Sequence, residues 1–459
     1  MSLQPLIQAD DLDAPLAWRD GTPIARRQYL ADVHALAARL PEGGPMLNFT
    51  ADRYRFAVGL GAAMLRGQAN LMPPNHTADT VERLRALLPS TYALADADAP
   101  SLALPTIQHA EALAPLGAGA SVPALPGIAD TALAAQVLTS GSTGAPVPHA
   151  KHWGLLMRNT QAGAQRLARQ MGRHDLRGVT LVATVPAQHM YGFESTVLIA
   201  MLAGAAFDTG RPFYPADIAA ALARAPRPRM LVTTPFHLKM LLDSGVPLPA
   251  IDLTVCATAP LAPQLAARAE GLLAAPLMEI YGCTEAGQVA SRRSTEGAEW
   301  HVYDGLQLTG DGDHVTVHGG HVPQPTVLAD VLEVVDATTF RLLGRSNDLI
   351  NIAGKRSSLG HLNFHLNSIA GVEDGAFWLP PDPGGASVVR PVAFVVAPTL
   401  AASSLHAQVL AALRQRIDPA FLPRRVVAVE ALPRELSTGK LPAQRFAAWA
   451  ERALAATRG

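Results

Sequence analysis

The sequence predicts an α/β protein with a large amino-terminal region of mostly parallel sheet, a β-rich subdomain, and a small mobile α+β domain at the carboxyl end. Three observations carry this expectation. Short apolar runs of strand length alternate with helix-length stretches from Met46 to Leu273, the alternation that layers helices on parallel sheet. Between Trp300 and Leu343 the rhythm changes to short strands broken by Gly and Asp turns. A chain of 459 residues also exceeds what one core ordinarily fills, so two domains are expected.

In order along the chain, Met46 opens an apolar strand, Tyr54 to Leu65 forms an amphipathic helix stopped at Arg66-Gly67, and Asn70 to Met72 forms a second strand that ends at Pro73-Pro74. Residues Asp96 to Asp130, rich in Ala, Pro and Gly, favour loops and short connecting pieces. Ala135 to Leu138 is a strand that runs directly into a Gly-Ser-Thr cluster. Strands at Thr180 to Val185, Met230 to Thr233 and Leu253 to Ala257 are separated by helices that include Ala216 to Ala225 and Pro263 to Leu273. After Gly344 a final segment of domain size follows, which divides the chain into residues 1–346 and 347–459.

Composition narrows the function classes. Lys and Arg number 37 against 38 Asp and Glu, so no global field draws the protein to nucleic acid or to an anionic membrane. Cys256 and Cys283 are the two cysteines; they are far apart, which excludes both a disulfide framework and a thiolate zinc site and suits a reducing cytoplasm. The amino terminus carries Asp10, Asp11 and Asp13 where a secretory signal needs a basic start and an apolar run. No apolar stretch approaches the roughly 20 residues of a bilayer span, and a soluble cytoplasmic enzyme is expected.

Leu138-Thr139-Ser140-Gly141-Ser142-Thr143-Gly144 places four hydroxyls and two glycines directly after a strand. Glycines let the backbone approach a phosphate, and successive N–H groups with hydroxyls cradle the anion; a plain surface loop has the same composition. This is not a Walker loop, because Gly144 is followed by Ala145-Pro146-Val147-Pro148-His149-Ala150-Lys151 rather than Lys-Ser/Thr. The absence of GxGxxG and GxSxG weighs against dehydrogenase and α/β-hydrolase readings.

Four further segments follow in order: Tyr281-Gly282-Cys283-Thr284-Glu285, Asp330, Gly344-Arg345-Ser346-Asn347-Asp348, and Ser437-Thr438-Gly439-Lys440. With the Thr139 loop, this set resembles the adenylate-forming superfamily of acyl-CoA synthetases, peptide-synthetase adenylation domains and luciferases, over nearly the whole chain. The resemblance implies ATP and Mg²⁺ as cofactors, with Thr139, Ser140, Gly141, Ser142, Thr143 and Gly144 on the β- and γ-phosphates. Val147 stands where the family carries a lysine, which leaves Lys151 as the substitute phosphate contact. Tyr281 and Gly282 lie against adenine beside the small-residue turn Thr258-Ala259-Pro260. Thr284 binds the α-phosphate, Glu285 holds Mg²⁺, and Asp330 and Arg345 take the ribose and phosphate.

Lys440 stands between carboxylate and α-phosphate, where a preplaced ammonium counters the repulsion of two anions. The resemblance further implies a hinge at Asn347 and a thiol channel at Gly354. It places His189 and Tyr191 of Gln188-His189-Met190-Tyr191-Gly192-Phe193-Glu194 at the acyl pocket; an ordinary core histidine is the alternative for His189. His361 and His365 share a helix face without a third metal ligand. Within the superfamily the chain most resembles the compact AMP ligases of bacterial aryl-polyene and xanthomonadin-type pigment pathways. The expected reaction is activation of an aromatic acid, then transfer to CoA or an acyl carrier protein. A fatty or short-chain acyl-CoA synthetase and a non-turnover acyl-adenylate binder are the alternatives.

Overall fold

The computed structural model describes residues 2–73, 75–109, 123–140, 146–345, 349–352, 355–381, 390–434 and 441–456. Two large sheets organise the chain up to Arg345. The first has six strands in the spatial order Pro146–His152, Leu133–Ser140, Asn70–Met72, Met46–Phe49, Tyr92–Ala95, Thr106–Gln108. All neighbours are parallel except the Pro146–His152 edge, which turns back antiparallel on Leu133–Ser140. The expected loop strand is therefore longer than Ala135 to Leu138, and the segment after the loop is its hairpin partner.

The second sheet has eleven strands. Its centre runs Leu277–Cys283, Leu253–Cys256, Arg229–Thr233, Thr180–Ala183, Ala206–Asp208, Pro15–Arg19, all parallel. Gly287–Arg292, Glu299–Val302, Thr339–Arg345 and Asp330–Asp336 extend it antiparallel on one side. The β-rich stretch is thus split. Only Leu306–Thr309, Thr316–Gly319 and Val322–Val327 form a separate three-stranded sheet, and the strands on either side of it in sequence pair with the large one.

The helix Arg53–Leu65 starts at an Asp52 cap that accepts the Arg55 amide at 2.8 Å. It is buried around nearly its whole circumference rather than on one face, as an Ala- and Gly-rich helix between two layers must be. Helix Trp153–Gln170, which the sequence reading did not single out, has an apolar stripe that places Trp153, Leu156, Met157, Ala164 and Leu167 inside the principal core.

From residue 349 onward the chain makes the hairpin Leu349–Ile352 and Lys355–Ser358, then helix Leu359–Asn367. A three-stranded sheet, Asp374–Trp378, Val392–Val396 and Arg425–Ala428, follows. Helices Ala402–Arg414 and Ala443–Ala456 cover its two faces through separate apolar clusters. Among the described residues no helix is long and apolar enough to cross a membrane.

Candidate active site

The carboxyl ends of parallel strands are where open α/β sheets collect ligands, and the segments singled out in the sequence sit there. Thr139 closes Leu133–Ser140, Thr258 to Pro260 follow Leu253–Cys256, and Thr284 and Glu285 follow Leu277–Cys283. The Tyr281 ring is buried and packs edge-on against Trp300 and Phe340, with centroids 5.8 and 5.4 Å away. Its hydroxyl donates to Asp330 Oδ2 at 2.7 Å. Asp330 opens the strand Asp330–Asp336 directly opposite Arg345 in the antiparallel register. The Tyr281–Asp330 hydrogen bond therefore links the central strand Leu277–Cys283 to the edge strand Asp330–Asp336, with the Arg345 main chain opposite Asp330. Asp330 is half-buried, with the tyrosine as the partner its apolar neighbours demanded.

Behind Tyr281 lies a buried ion pair. Arg292 donates to both Glu279 oxygens at 2.7 and 3.2 Å, and its guanidinium stacks 4.5 Å over the Trp300 ring. Burial raises the Glu279 carboxyl while the guanidinium pulls it back down. The pair fixes adjacent strands just under the turn. Gly282 is required at the bulge in this ladder: a Cβ there would lie 2.4 Å from the Gly287 carbonyl oxygen.

The hairpin strand Pro146–His152 brings two more side chains to the turn. The buried Lys151 ammonium donates to the Thr284 carbonyl and, at 3.3 Å, to that of Glu285. Two of its donors thus go to main-chain carbonyls of the turn, and burial lowers its pKa. His149 Nε2 lies 3.0 Å from Thr139 Oγ1 and 3.9 Å from Glu285 Oε1. It connects the end of the loop strand to the acidic residue of the turn, a role the sequence reading missed.

A second omission lies deeper. Glu194 is wholly buried, and its Oε1 accepts from Asn159 Nδ2 at 2.5 Å. Burial pushes its carboxyl up to about 7 against the opposing influence of Lys151. Gln288 donates to Ser195 Oγ at 3.1 Å and accepts from the Tyr303 hydroxyl at 3.3 Å, while its carbonyl meets His321 Nε2 at 2.9 Å. A polar layer therefore underlies residues 284–288.

At the proposed acyl pocket, His189 is exposed, and its Nδ1 accepts the Tyr191 amide at 3.2 Å, capping the short turn that follows. Tyr191 is buried and its hydroxyl donates to the Val255 carbonyl at 2.9 Å, so its polar end ties this short turn to the strand Leu253–Cys256. From Phe193 to Leu198 the helix widens to π geometry, an irregularity that concentrates at functional sites. Thr258 holds φ at +82°, a strained value for a β-branched residue of the kind stored near ligand clamps.

Gly141, Ser142, Thr143, Gly144, Asn347, Gly354 and Lys440 lie outside the described residues. Ser140 and Arg345 end their strands with only their main chain described. His361 and His365 face each other edge to face at 4.5 Å, and burial lowers both pKa values.

The residues fit a nucleotide-borne Mg²⁺. Glu285 offers one carboxylate, nearly half exposed, on the turn beside Thr284. Among the described residues no three His, Cys, Asp or Glu converge as a preformed cage. Mg²⁺ is commonly held this way, by one or two carboxylates together with substrate phosphates and water.

Comparison with known proteins agrees with this arrangement. Residues 49–340 match the AMP-binding enzyme family. The chain is 32% identical over 298 residues to a 4-coumarate–CoA ligase of Rhodobacter capsulatus, covering 64% of this chain and 71% of that one. It is 32% identical over 242 residues to another of Halorhodospira halophila, covering 50% and 55%. Among solved structures, apo MatB of Rhodopseudomonas palustris superposes with a TM-score of 0.76 over 96% of this chain and 97% of that one, at 18% identity. The anthranilate CoA ligase AuaEII in complex with anthranoyl-AMP superposes at 0.73 over 99% of both chains, at 15% identity. The family match across the two sheets, with Tyr281 hydrogen-bonded to Asp330 and followed by Thr284 and Glu285, places the chain in the AMP-binding enzyme family as an AMP-forming acid–thiol ligase.

Proposed function

We propose that the chain activates an aromatic carboxylic acid, such as a hydroxybenzoate or hydroxycinnamate, as its acyl-adenylate, and passes the acyl group to the phosphopantetheine thiol of CoA or an acyl carrier protein. The observation that carries the adenylation step is the convergence of Thr139, Tyr281, Thr284, Glu285 and Asp330, where two parallel strands end and one antiparallel strand begins. An aromatic acid is supported by the 4-coumarate–CoA ligase relatives and by the anthranilate CoA ligase neighbour. The segment Gly144 to Lys151, in its resemblance to the pigment-pathway AMP ligases, supports the same acid class; no feature of the sequence separates CoA from a carrier protein as acceptor.

In this reading Thr139 and the loop to Gly144 hold the β- and γ-phosphates, Thr284 meets the α-phosphate, and Asp330 with Arg345 takes the ribose. An acid oxygen attacks the α-phosphorus, the bond to the bridging oxygen breaks, and pyrophosphate leaves with its electron pair. Lys440 offsets the charge gathered between the two anions. A bound Mg²⁺ at Glu285 would neutralise phosphate charge. The second half-reaction requires a different environment at the same carbonyl. Rotation of residues 347–459 about Asn347 would exchange Lys440 for the Gly354 segment, where glycine admits the pantetheine arm.

The division of labour is testable with Lys440→Ala. Removing one preorganised charge costs about 100- to 1000-fold in rate, so adenylation falls by that factor while thiol transfer from a supplied acyl-adenylate stays within about threefold. Equal loss of both halves would contradict the assignment. CoA and holo-carrier protein offered separately identify the acceptor.

A further inference from the structure

We propose that Glu194 and Asn159, acting through Lys151, form a buried positioning unit that sets the Thr284–Glu285 turn for the phosphates and the cation. This rests on the adenylation reading above and adds Glu194 and Asn159, which are buried behind the turn.

The turn is gripped from two sides. On one, the Lys151 ammonium binds the carbonyls of Thr284 and Glu285. On the other, residues 287 and 288 pass against the carboxylate–amide pair. Gly287 has φ +79°, and a Cβ there would lie 2.7 Å from Asn159 Nδ2 and 3.0 Å from Glu194 Oε1. Gln288 hydrogen-bonds Glu194 as well as Ser195. The three supporting elements are separate: the loop hairpin supplies Lys151, helix Trp153–Gln170 supplies Asn159, and the π turn supplies Glu194.

Charge makes this more than packing. Glu194 and Lys151 are both buried, and each is the other's principal opposing charge. Burying an ammonium and a carboxylate is expensive, and apolar residues of similar volume often stabilise a fold as well or better. What such a pair supplies is a fixed geometry for the groups it binds, and catalytic hydrogen-bond donors and ligands gain most from supports that cannot relax. Lys151 is bound to the carbonyls of the turn, and Asn159 and Gln288 hold the opposing Glu194 carboxylate in place.

Glu194→Gln preserves shape and removes the charge. In the ligand-free protein, amide hydrogen exchange of the peptide spanning residues 281–292 should quicken at least tenfold in the variant, with exchange of the strand Met46–Phe49 unchanged. Relative to wild type, KM for ATP and the Mg²⁺ concentration for half-maximal pyrophosphate exchange should both rise about tenfold in the variant, while thiol transfer from supplied acyl-adenylate stays within twofold. The double variant Glu194→Gln/Lys151→Met removes both charges and should recover part of the loss of stability without restoring KM, which separates positioning from folding and covers the case of a poorly folding single variant. Unchanged exchange in the 281–292 peptide overturns the proposal, as does equal damage to both half-reactions. If wild type shows no acid-dependent exchange of pyrophosphate, the adenylation reading fails instead, and the hydrogen-exchange result still decides whether Glu194 holds the turn.

Discussion

Asp330→Ala, tested with ATP and its deoxy analogues, asks whether the carboxylate grips the sugar. One Asp330 oxygen accepts from the Tyr281 hydroxyl at 2.7 Å. A carboxylate has about four acceptor positions, so this bond leaves capacity for ribose hydroxyls. A hydrogen bond to a charged group is worth about 1.5–3 kcal/mol, which corresponds to roughly 10- to 150-fold in affinity at about 1.4 kcal/mol per decade. Wild type should therefore prefer ATP over 2′-deoxy- or 3′-deoxy-ATP by at least tenfold in kcat/KM. In Asp330→Ala the preference should collapse to within about twofold, because the partner of the missing hydroxyl is already gone. The assay is steady-state pyrophosphate exchange, analysed as a cycle between side chain and hydroxyl. Tyr281→Phe controls for indirect effects: it frees the same carboxylate oxygen and should retain the preference. If Asp330→Ala keeps the full discrimination, the carboxylate does not touch the ribose and the placement of the nucleotide at this sheet edge is wrong.

Two further predictions concern stability. Burial lowers the pKa of His109 and of His321 from the ordinary 6.5 to about 4. Each then contributes stability that is present in full above pH 6.5 and is lost as pH falls through the window from 6.5 to 4. At pH 5 the loss is about 2 kcal/mol per histidine, from about 1.4 kcal/mol per pH unit. Denaturant midpoints at pH 7.5 and 5.0 should differ accordingly, with the difference about 2 kcal/mol smaller in His321→Gln; an unchanged difference would refute it. Arg292→Met strands the Glu279 carboxylate in the core and should cost about 3–5 kcal/mol, read by denaturant unfolding of Trp300 fluorescence. Arg292→Met/Glu279→Leu should regain most of that loss, and a double variant no better than the single would show that the pair is not what holds these strands.

Which segments gather at strand ends was legible in the sequence because each is a short polar motif beside an apolar strand. Tyr281 lies near the end of one strand with Thr284 and Glu285 just after it, and Asp330 opens another. Lys151 was visible as a lysine displaced from its usual place, but its direction was not: whether an ammonium on a hairpin points at the loop or at the neighbouring turn depends on which carbonyls lie across the sheet. Glu194 and Asn159 left a fainter signal. Glu194 is a lone acid between Phe193 and Val197-Leu198-Ile199, and Asn159 lies on the buried side of helix Trp153–Gln170. An acid in an apolar run and an amide on an apolar stripe suggest a buried polar pair, but partners 35 positions apart cannot be matched without the fold. The return of the strands after Trp300 into the large sheet was hidden for the same reason, since short β-strands pair by tertiary context more than by propensity. The π turn at Phe193–Leu198 has no sequence signature at all.

The central claim is acid activation by ATP, and it is tested most directly by exchange of labelled pyrophosphate into ATP over a panel of benzoates, cinnamates and fatty acids, without any thiol. The account predicts exchange that depends on the acid and is strongest with an aromatic member. Strong exchange only with fatty acids would overturn the substrate class, and no exchange with any acid would contradict adenylation itself.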